Sequence, residues 1–145
     1  MQVYINRVYD PEVGVIMILP KGKAMKTFAY DVATKKWRDL DPKGGAEVPF
    51  CTIPGIAYDS RNRAVILIKS DHNSTDALSG QVRILDLATN TWKPGTPLPA
   101  RLCLNMGSAA YDANHNLVLC TTGSGGKLWF YRYKGGCPAD AFLAK

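Results

Sequence analysis

The chain has 145 residues, of which 46% are hydrophobic and 21% are charged, and its net charge is +6. This composition excludes a disordered chain and is typical of one globular domain with a sizeable core. No apolar run approaches the ~20 residues of a membrane-spanning helix. The first residues lack the basic segment and long apolar core of a signal peptide, so we expect a cytoplasmic protein with no membrane partner.

Charged residues and cysteines exclude several classes of site. The lysines and arginines are spread along the chain and form no basic stripe, so nucleic acid is not an expected partner. The four cysteines lack the Cys-x-x-Cys spacing of zinc or redox sites. Their apolar neighbours favour buried free thiols, with disulfides as the alternative. We therefore expect neither a metal nor a cofactor.

Short apolar runs rich in β-branched and aromatic residues, bounded by Gly, Pro, Asn and Asp, predict strands throughout the chain. A first set of four strands is predicted at Val3 to Asp10, Gly14 to Leu19, Lys26 to Val32 and Lys36 to Leu40. A second set is predicted at Pro54 to Asp59, Ala64 to Ile68, Gln81 to Leu87 and from Thr91 onward. Three strands follow at Gly107 to Asp112, Asn116 to Thr122 and Lys127 to Tyr133. The strand from Ala64 to Ile68 is apolar throughout, which predicts burial on both faces.

Two phrases repeat along these strands. Asp31-Val-Ala-Thr-Lys-Lys-Trp37 is matched by Asp86-Leu-Ala-Thr-Asn-Thr-Trp92, and the pair Tyr-Asp precedes a turn at Tyr9, Tyr58 and Tyr111. A repeat of about 50 residues in a turn-rich β chain indicates propeller blades. We predict an all-β fold of three four-stranded antiparallel meanders, the last incomplete. The single domain would contain blades at approximately 1–45, 46–98 and 99–145.

The repeated aspartate and tryptophan each have a physical role in this interpretation. An aspartate at the end of the third strand can accept hydrogen bonds from turn amides. The tryptophan that follows is expected to cover the seam to the next blade. In the third repeat Arg132 replaces the aspartate and Gly135-Gly136-Cys137-Pro138 replaces the turn and tryptophan, so its fourth strand is predicted to be missing or degenerate.

The order of Tyr-Asp, turn, apolar strand, loop, strand ending in Asp, then Trp and a proline-rich link resembles the Kelch repeat. The best match runs from Gly55 to Arg101. The chain departs from the Kelch pattern where two adjacent glycines follow the second strand, because only Gly123, followed by Gly125-Gly126, approaches that pair. A galactose-oxidase-type central domain or another propeller family remains an alternative.

The Kelch resemblance implies a ring of six or seven blades, which three blades cannot close. Leaving several hundred Å² of apolar sheet face in water costs on the order of 10 kcal/mol at about 25 cal/mol per Å². We therefore expect a homodimer in which two three-bladed halves complete a six-bladed ring. The alternative is that the three repeats are a piece of a larger propeller.

Propellers usually bind ligands at the mouth of the central channel, on loops between blades. By this analogy the candidate ligand-binding residues are Arg101, Cys51, Thr52, Cys103 and Asn105. Arg101 could hold a carboxylate or phosphate, or it could tie backbone carbonyls between blades. The polar loop from Lys69 to Gly80 adds Asp71 and His72, while His115 is expected to serve a hairpin turn.

No motif identifies a catalytic residue. The sequence favours a non-catalytic binding or interaction module whose further partner is an unknown protein or small molecule. The alternative is an enzyme that acts on a sugar or sugar acid at the central channel, where Arg101 and its symmetry mate would grip an anion.

Overall fold

A computed structural model describes residues 6–21, 24–44, 55–69, 80–98, 109–121 and 128–135. All regular secondary structure in these ranges is β, in eleven strands, which confirms the predicted all-β class. Among the same residues there is no helix whose length and apolarity would suit a bilayer crossing.

The strands form three antiparallel sheets. The first sheet contains β1 (Asn6–Asp10), β2 (Gly14–Lys21), β3 (Ala24–Asp31) and β4 (Lys36–Asp39). The second contains β5 (Gly55–Asp59), β6 (Ala64–Ile68), β7 (Val82–Asp86) and β8 (Thr91–Pro94). The third, as far as it is described, contains β9 (Ala109–Asp112), β10 (Leu117–Thr121) and β11 (Leu128–Tyr131).

Each sheet is a meander in which every strand pairs with its neighbour in sequence. The first strands of the three sheets lie side by side, because β1 contacts β5 and β5 contacts β9. The sheets therefore follow one another in chain order as an open series of blade-like units. The fourth strand of the third repeat, predicted to be missing or degenerate, would fall beyond Gly135, outside the described residues.

Aspartate side chains shape the hairpin turns, as the repeat predicted. Oδ1 of Asp31 accepts hydrogen bonds from the amides of Ala33 and Thr34 at 2.8 and 3.0 Å, and Oδ1 of Asp86 accepts one from Thr89 at 3.1 Å. These bonds satisfy turn amides that the ladder leaves free.

One glycine is required by its surroundings. Gly14 has a φ of +96°, and a Cβ at this position would stand 2.1 Å from the carbonyl oxygen of Tyr30. A side chain here would collide with the backbone of the neighbouring strand β3. Glycine therefore allows the tight turn between β1 and β2.

The core lies between the sheets in two clusters, one on each side of the second sheet. Val65 and Leu67 of β6 pack toward Ile16 and Ile18 of the first sheet. Ile66 and Ile68 of the same strand pack toward the third sheet, which contributes Val118, Cys120 and Tyr131. All five residues of β6 are buried, so the prediction of a strand covered on both faces is confirmed.

Trp92, the tryptophan of the second repeat, covers a different seam from the one predicted. Trp92 packs with Ile16 and Ile18, so it covers the seam to the preceding sheet and not to the next one. The reason is register: Trp92 is paired with Leu85, whose side chain faces the first sheet. The equivalent Trp37 is paired with Tyr30 and packs against that ring in a tilted arrangement, with the ring centroids 4.9 Å apart.

Cys120 is the one cysteine among the described residues, and it is a buried free thiol as predicted. Burial raises the pKa of this thiol to about 11, so it is protonated and unreactive at neutral pH. Cys51, Cys103 and Cys137 lie outside the described residues.

Candidate functional site

The residues predicted for the channel mouth and the polar loop lie outside the described part of the chain. They are Arg101, Cys51, Thr52, Cys103, Asn105, Asp71 and His72. His115 is described and occupies a hairpin turn, as expected. Its Nδ1 lies 2.6 Å from Oδ2 of Asp112.

The most developed polar arrangement in the described residues lies at the seams between sheets. At the first seam, the hydroxyl of Tyr58 in β5 donates a hydrogen bond to Oδ2 of Asp10 in β1. Nε of Arg63 lies 3.6 Å from the same oxygen, and Nη1 of Arg63 lies 2.7 Å from Oε2 of Glu12. Oδ1 of Asp10 accepts the turn amides of Glu12 and Val13. Both oxygens of this fully buried carboxylate are therefore satisfied.

The pKa shifts of Asp10 and Tyr58 are those expected of a structural contact. Burial alone would raise the pKa of Asp10, but the Tyr58 hydroxyl, two turn amides and Arg63 together hold that pKa below its usual value. Burial and the neighbouring carboxylate raise the pKa of Tyr58, which keeps its proton on the hydroxyl. The seam thus holds an ionised acceptor and a neutral donor at ordinary pH.

The second seam places the equivalent residues side by side, but the tyrosine hydroxyl donates elsewhere. The Tyr111 hydroxyl donates a hydrogen bond to Oδ1 of Asn116 in its own sheet at 2.9 Å. Burial, and next the nearby Asp59 carboxylate of the second sheet, raise the pKa of Tyr111. Asp59 is 2% exposed and accepts bonds from its own turn residue Asn62. A guanidinium nitrogen of Arg61 crosses the same seam to the carbonyl of Ala113 at 3.3 Å.

We call the contact at the first seam the Tyr–Asp latch: Tyr58 of the second sheet donates to Asp10 of the sheet before it. Adjacent residues of a strand point to opposite faces, so each Tyr-Asp pair presents a donor to one neighbour and an acceptor to the other. The repeated dipeptide in the sequence was the signal for this contact. The dipeptide alone did not indicate that role, because the partner aspartate lies in another repeat.

The two ends of the series carry the unused halves of the latch. Tyr9 of the first sheet is 57% exposed, and no described residue accepts a hydrogen bond from its hydroxyl. Asp112 of the third sheet has a side chain that is 32% exposed, against 0% for Asp10. The described partners of Asp112 belong to its own turn, namely Asn114 and His115. The Tyr9 hydroxyl at the first sheet therefore has no described partner. The accessible Asp112 carboxylate lies at the other end of the series, on the third sheet.

Each end also presents an apolar sheet face. By register, the face of the first sheet turned away from the second carries Tyr9, Val15, Met17, Phe28, Tyr30 and Trp37, with the charged residues Arg7, Lys26 and Asp39 beside them. We call this the leading face. The face of the third sheet turned away from the second carries Ala110, Leu117, Leu119, Leu128 and Phe130, and we call it the trailing face. Trp37 and Phe130 are each 55% exposed.

Register relates these open faces to faces that are buried within the chain. Leu119 and Phe130 of the trailing face occupy the positions of Ile66 and Ile84 in the second sheet, which pack against the third. On the leading face, Val15 and Met17 occupy the positions of Val65 and Leu67, which pack against the first sheet. The open faces thus have the apolar character of an internal seam.

Two clefts lie on the surface of the described residues. One of about 400 Å³ lies between the first two sheets and is lined by Val13, Arg38, Asp39, Leu40, Leu87 and Asn90. The other, of about 150 Å³, adjoins Arg83 and Gly95 of the second sheet. In the ranges that the structure covers, no three His, Cys, Asp or Glu side chains are grouped so that they could hold a metal ion.

No protein-family model matches the chain. No curated protein matches it significantly.

Proposed function

We propose that this protein is a non-catalytic, Kelch-like binding module and that two copies associate to complete a six-bladed ring. The observation that carries the proposal is the likeness between the open faces and the buried seams. The second sheet is covered on both sides, and it is the part of the chain with the most fully buried side chains. The first and third sheets carry equivalent faces that no described residue of another sheet covers.

The energetic reason for association is the hydrophobic effect. Apolar patches larger than a few hundred Å² are uncommon on stable monomers and mark interaction surfaces. At about 25 cal/mol per Å², covering both end faces would release free energy on the scale of a whole domain's stability. A second three-sheet chain offers faces of matching chemistry at both ends.

In this proposal the binding site is the channel around which the six first strands would lie. By analogy with other propellers, loops between sheets would approach that axis, and we propose Arg101, Cys51, Thr52, Cys103 and Asn105 as the contacts for a ligand at its mouth. The ligand would be a protein segment or a small molecule held without chemical conversion.

The first test is the mass of the chain in solution, measured by light scattering during size-exclusion chromatography. We expect twice the 15.9 kDa of one chain, independent of loading across the micromolar range. A chain that stays a folded monomer would overturn the half-ring proposal.

The second test concerns the absence of catalysis. Neutral hexoses and hexuronic acids are screened for a thermal shift of the dimer, and any compound that stabilises it is incubated with the protein and analysed for conversion. We expect no conversion. Turnover of a stabilising sugar acid, abolished by Arg101→Ala, would replace the binding module with a sugar-acid enzyme.

A further inference from the structure

We infer that the two halves join head to tail through the same Tyr–Asp latch that joins the first two sheets within one chain. Tyr9 of each copy would donate a hydrogen bond to Asp112 of the other copy. This inference rests on the proposed association of two copies and specifies the surfaces, the direction and the polar contact of that association. The partner is a second copy of this chain.

The first step is the direction of the latch. At the first internal seam the tyrosine, Tyr58, belongs to the later sheet and donates to Asp10 of the earlier one. At the second seam Tyr111 of the later sheet also lies near Asp59 of the earlier one, although its hydroxyl donates to Asn116. The leading face therefore supplies donors and the trailing face supplies acceptors. A leading face cannot form the latch with another leading face, since two tyrosines would meet and no carboxylate would be present.

The second step is the availability of the two unused groups. The Tyr9 side chain is mostly exposed, and the Asp112 carboxylate is accessible beside the open trailing face. His115 already bonds to one oxygen of Asp112. Bonds from its own turn do not exclude the tyrosine, because Asp10 accepts from its turn amides and from Tyr58 together.

The third step is the ionisation of the acceptor. The hydrogen bond from the His115 side chain, with turn amides, holds the pKa of Asp112 below its usual value, so Asp112 is a carboxylate at neutral pH. It is thus in the same state as Asp10 at the first internal seam. A charged acceptor makes a stronger hydrogen bond with a phenol than a neutral acceptor does.

The fourth step is packing around the latch. The leading face offers Val15, Met17 and Trp37, and the trailing face offers Leu119 and Phe130. At the internal seams the equivalent side chains are buried against one another. A head-to-tail contact repeats this pairing twice, and two heterologous contacts close a ring when the rotations add to a full turn.

The experiment measures self-association of the full chain by analytical ultracentrifugation. Tyr9→Phe removes one hydroxyl from each of two junctions, so we expect the dissociation constant to rise about 100-fold, roughly tenfold at each junction. Asp112→Asn keeps a neutral acceptor and should raise it about tenfold. Asp31→Asn is the matched control and should leave the dissociation constant unchanged, because Asp31 caps its own turn.

A mixing experiment tests the direction. Labelled Tyr9→Phe chain is titrated with Asp112→Asn chain, which restores one intact Tyr9–Asp112 junction, and in parallel with the double variant, which restores none. We expect about tenfold tighter binding to the single variant. Equal binding of both titrants would overturn the head-to-tail latch.

The outcomes separate the latch from the proposed function. A wild-type chain that remains monomeric contradicts the half-ring itself. A wild-type dimer that Tyr9→Phe and Asp112→Asn do not weaken leaves the half-ring standing and overturns the latch. At protein concentrations below the dissociation constant, a thermal unfolding temperature equal to that of the wild-type chain would show that each variant still folds.

Discussion

The first and second sheets are built from the same repeat, yet their matching residues have different surroundings. Trp92 of the second sheet is 6% exposed, whereas Trp37 of the first is 55% exposed. Both tryptophans follow an aspartate-capped turn and pair with the third strand of their sheet. The difference arises because the second sheet has a neighbour on the side that Trp92 faces. Burial in this fold is therefore set by the adjacent sheet more than by the repeat itself.

The largest expected contrast concerns matched aliphatic residues of the second and third sheets. Ile66→Ala should lower the free energy of unfolding by about 4 kcal/mol, because it leaves a cavity at a fully buried position. Leu119→Ala at the equivalent, partly exposed position should cost about 1 kcal/mol in the monomer. Urea unfolding at protein concentrations below self-association measures both. Equal losses would contradict the contrast between covered and open faces.

A second contrast compares the aspartates of the latch. Asp10→Asn should cost about 2–3 kcal/mol, since a buried, charged acceptor of several hydrogen bonds becomes neutral. Asp112→Asn in the monomer should have a clearly smaller effect, because its bonds lie within one exposed turn. Urea titration at pH 7 checks the order of the two variants, and a larger loss for Asp112→Asn would contradict it.

The tyrosines of the latch give a third, smaller contrast. Tyr58→Phe removes the hydroxyl that satisfies Asp10 and should cost about 1–2 kcal/mol. Tyr9→Phe should change monomer stability by less than about 0.5 kcal/mol, because its ring stays in place and its hydroxyl faces solvent. Urea unfolding of the two variants measures both losses of stability. A loss for Tyr9→Phe as large as that for Tyr58→Phe would contradict the contrast between an end sheet and an internal seam.

The pH dependence of stability sharpens the same comparison. The folded-state pKa of Asp10 lies below its ordinary value of 3.8, so its stabilising contribution is present above that pH and is lost as the pH falls through the folded pKa. Wild-type protein should therefore lose stability below about pH 4. Asp10→Asn should flatten this part of the profile, which thermal melts between pH 5 and pH 2 can measure. An unchanged acid profile would show that other carboxylates dominate it.

The smallest expected effect is spectroscopic. Trp37→Phe should remove most of the fluorescence that iodide quenches, with little change in stability, because this side chain is largely exposed in the monomer. Trp92→Phe should leave the quenchable fraction almost intact. In the dimer, the leading face would be covered and quenching of Trp37 should fall, so a titration of protein concentration reports on the same face.

Local features of the fold were readable from the sequence. The all-apolar run Ala64–Ile68 predicted a strand buried on both faces, and aspartates at the ends of β3 and β7 predicted capped turns. Both follow from the chemistry of a few neighbouring residues. Where both ends of a comparison are described, the observed strand ends differ from the predicted ones by up to two residues. For example, β2 continues to Lys21 and not only to Leu19, because its pairing with β3 extends that far.

Contacts between repeats were harder to predict. The direction of Trp92 depends on which face of the sheet meets the preceding sheet, and no pattern within one repeat fixes that choice. The latch combines residues 48 positions apart. The alternation of a strand separates the faces of Tyr and Asp, but only the arrangement of neighbouring sheets brings one repeat's tyrosine to the other's aspartate.

The meander order of the sheets also bears on how the chain acquires its structure. Because every strand pairs with its sequence neighbour, the hydrogen-bond ladders close short loops, and such local pairing lowers the entropic barrier to folding. Each sheet can then form as soon as its own strands have left the ribosome, while its faces await the next sheet. The slow and concentration-dependent steps would be those that bring faces together, so aggregation during synthesis would begin at the faces and not at the ladders.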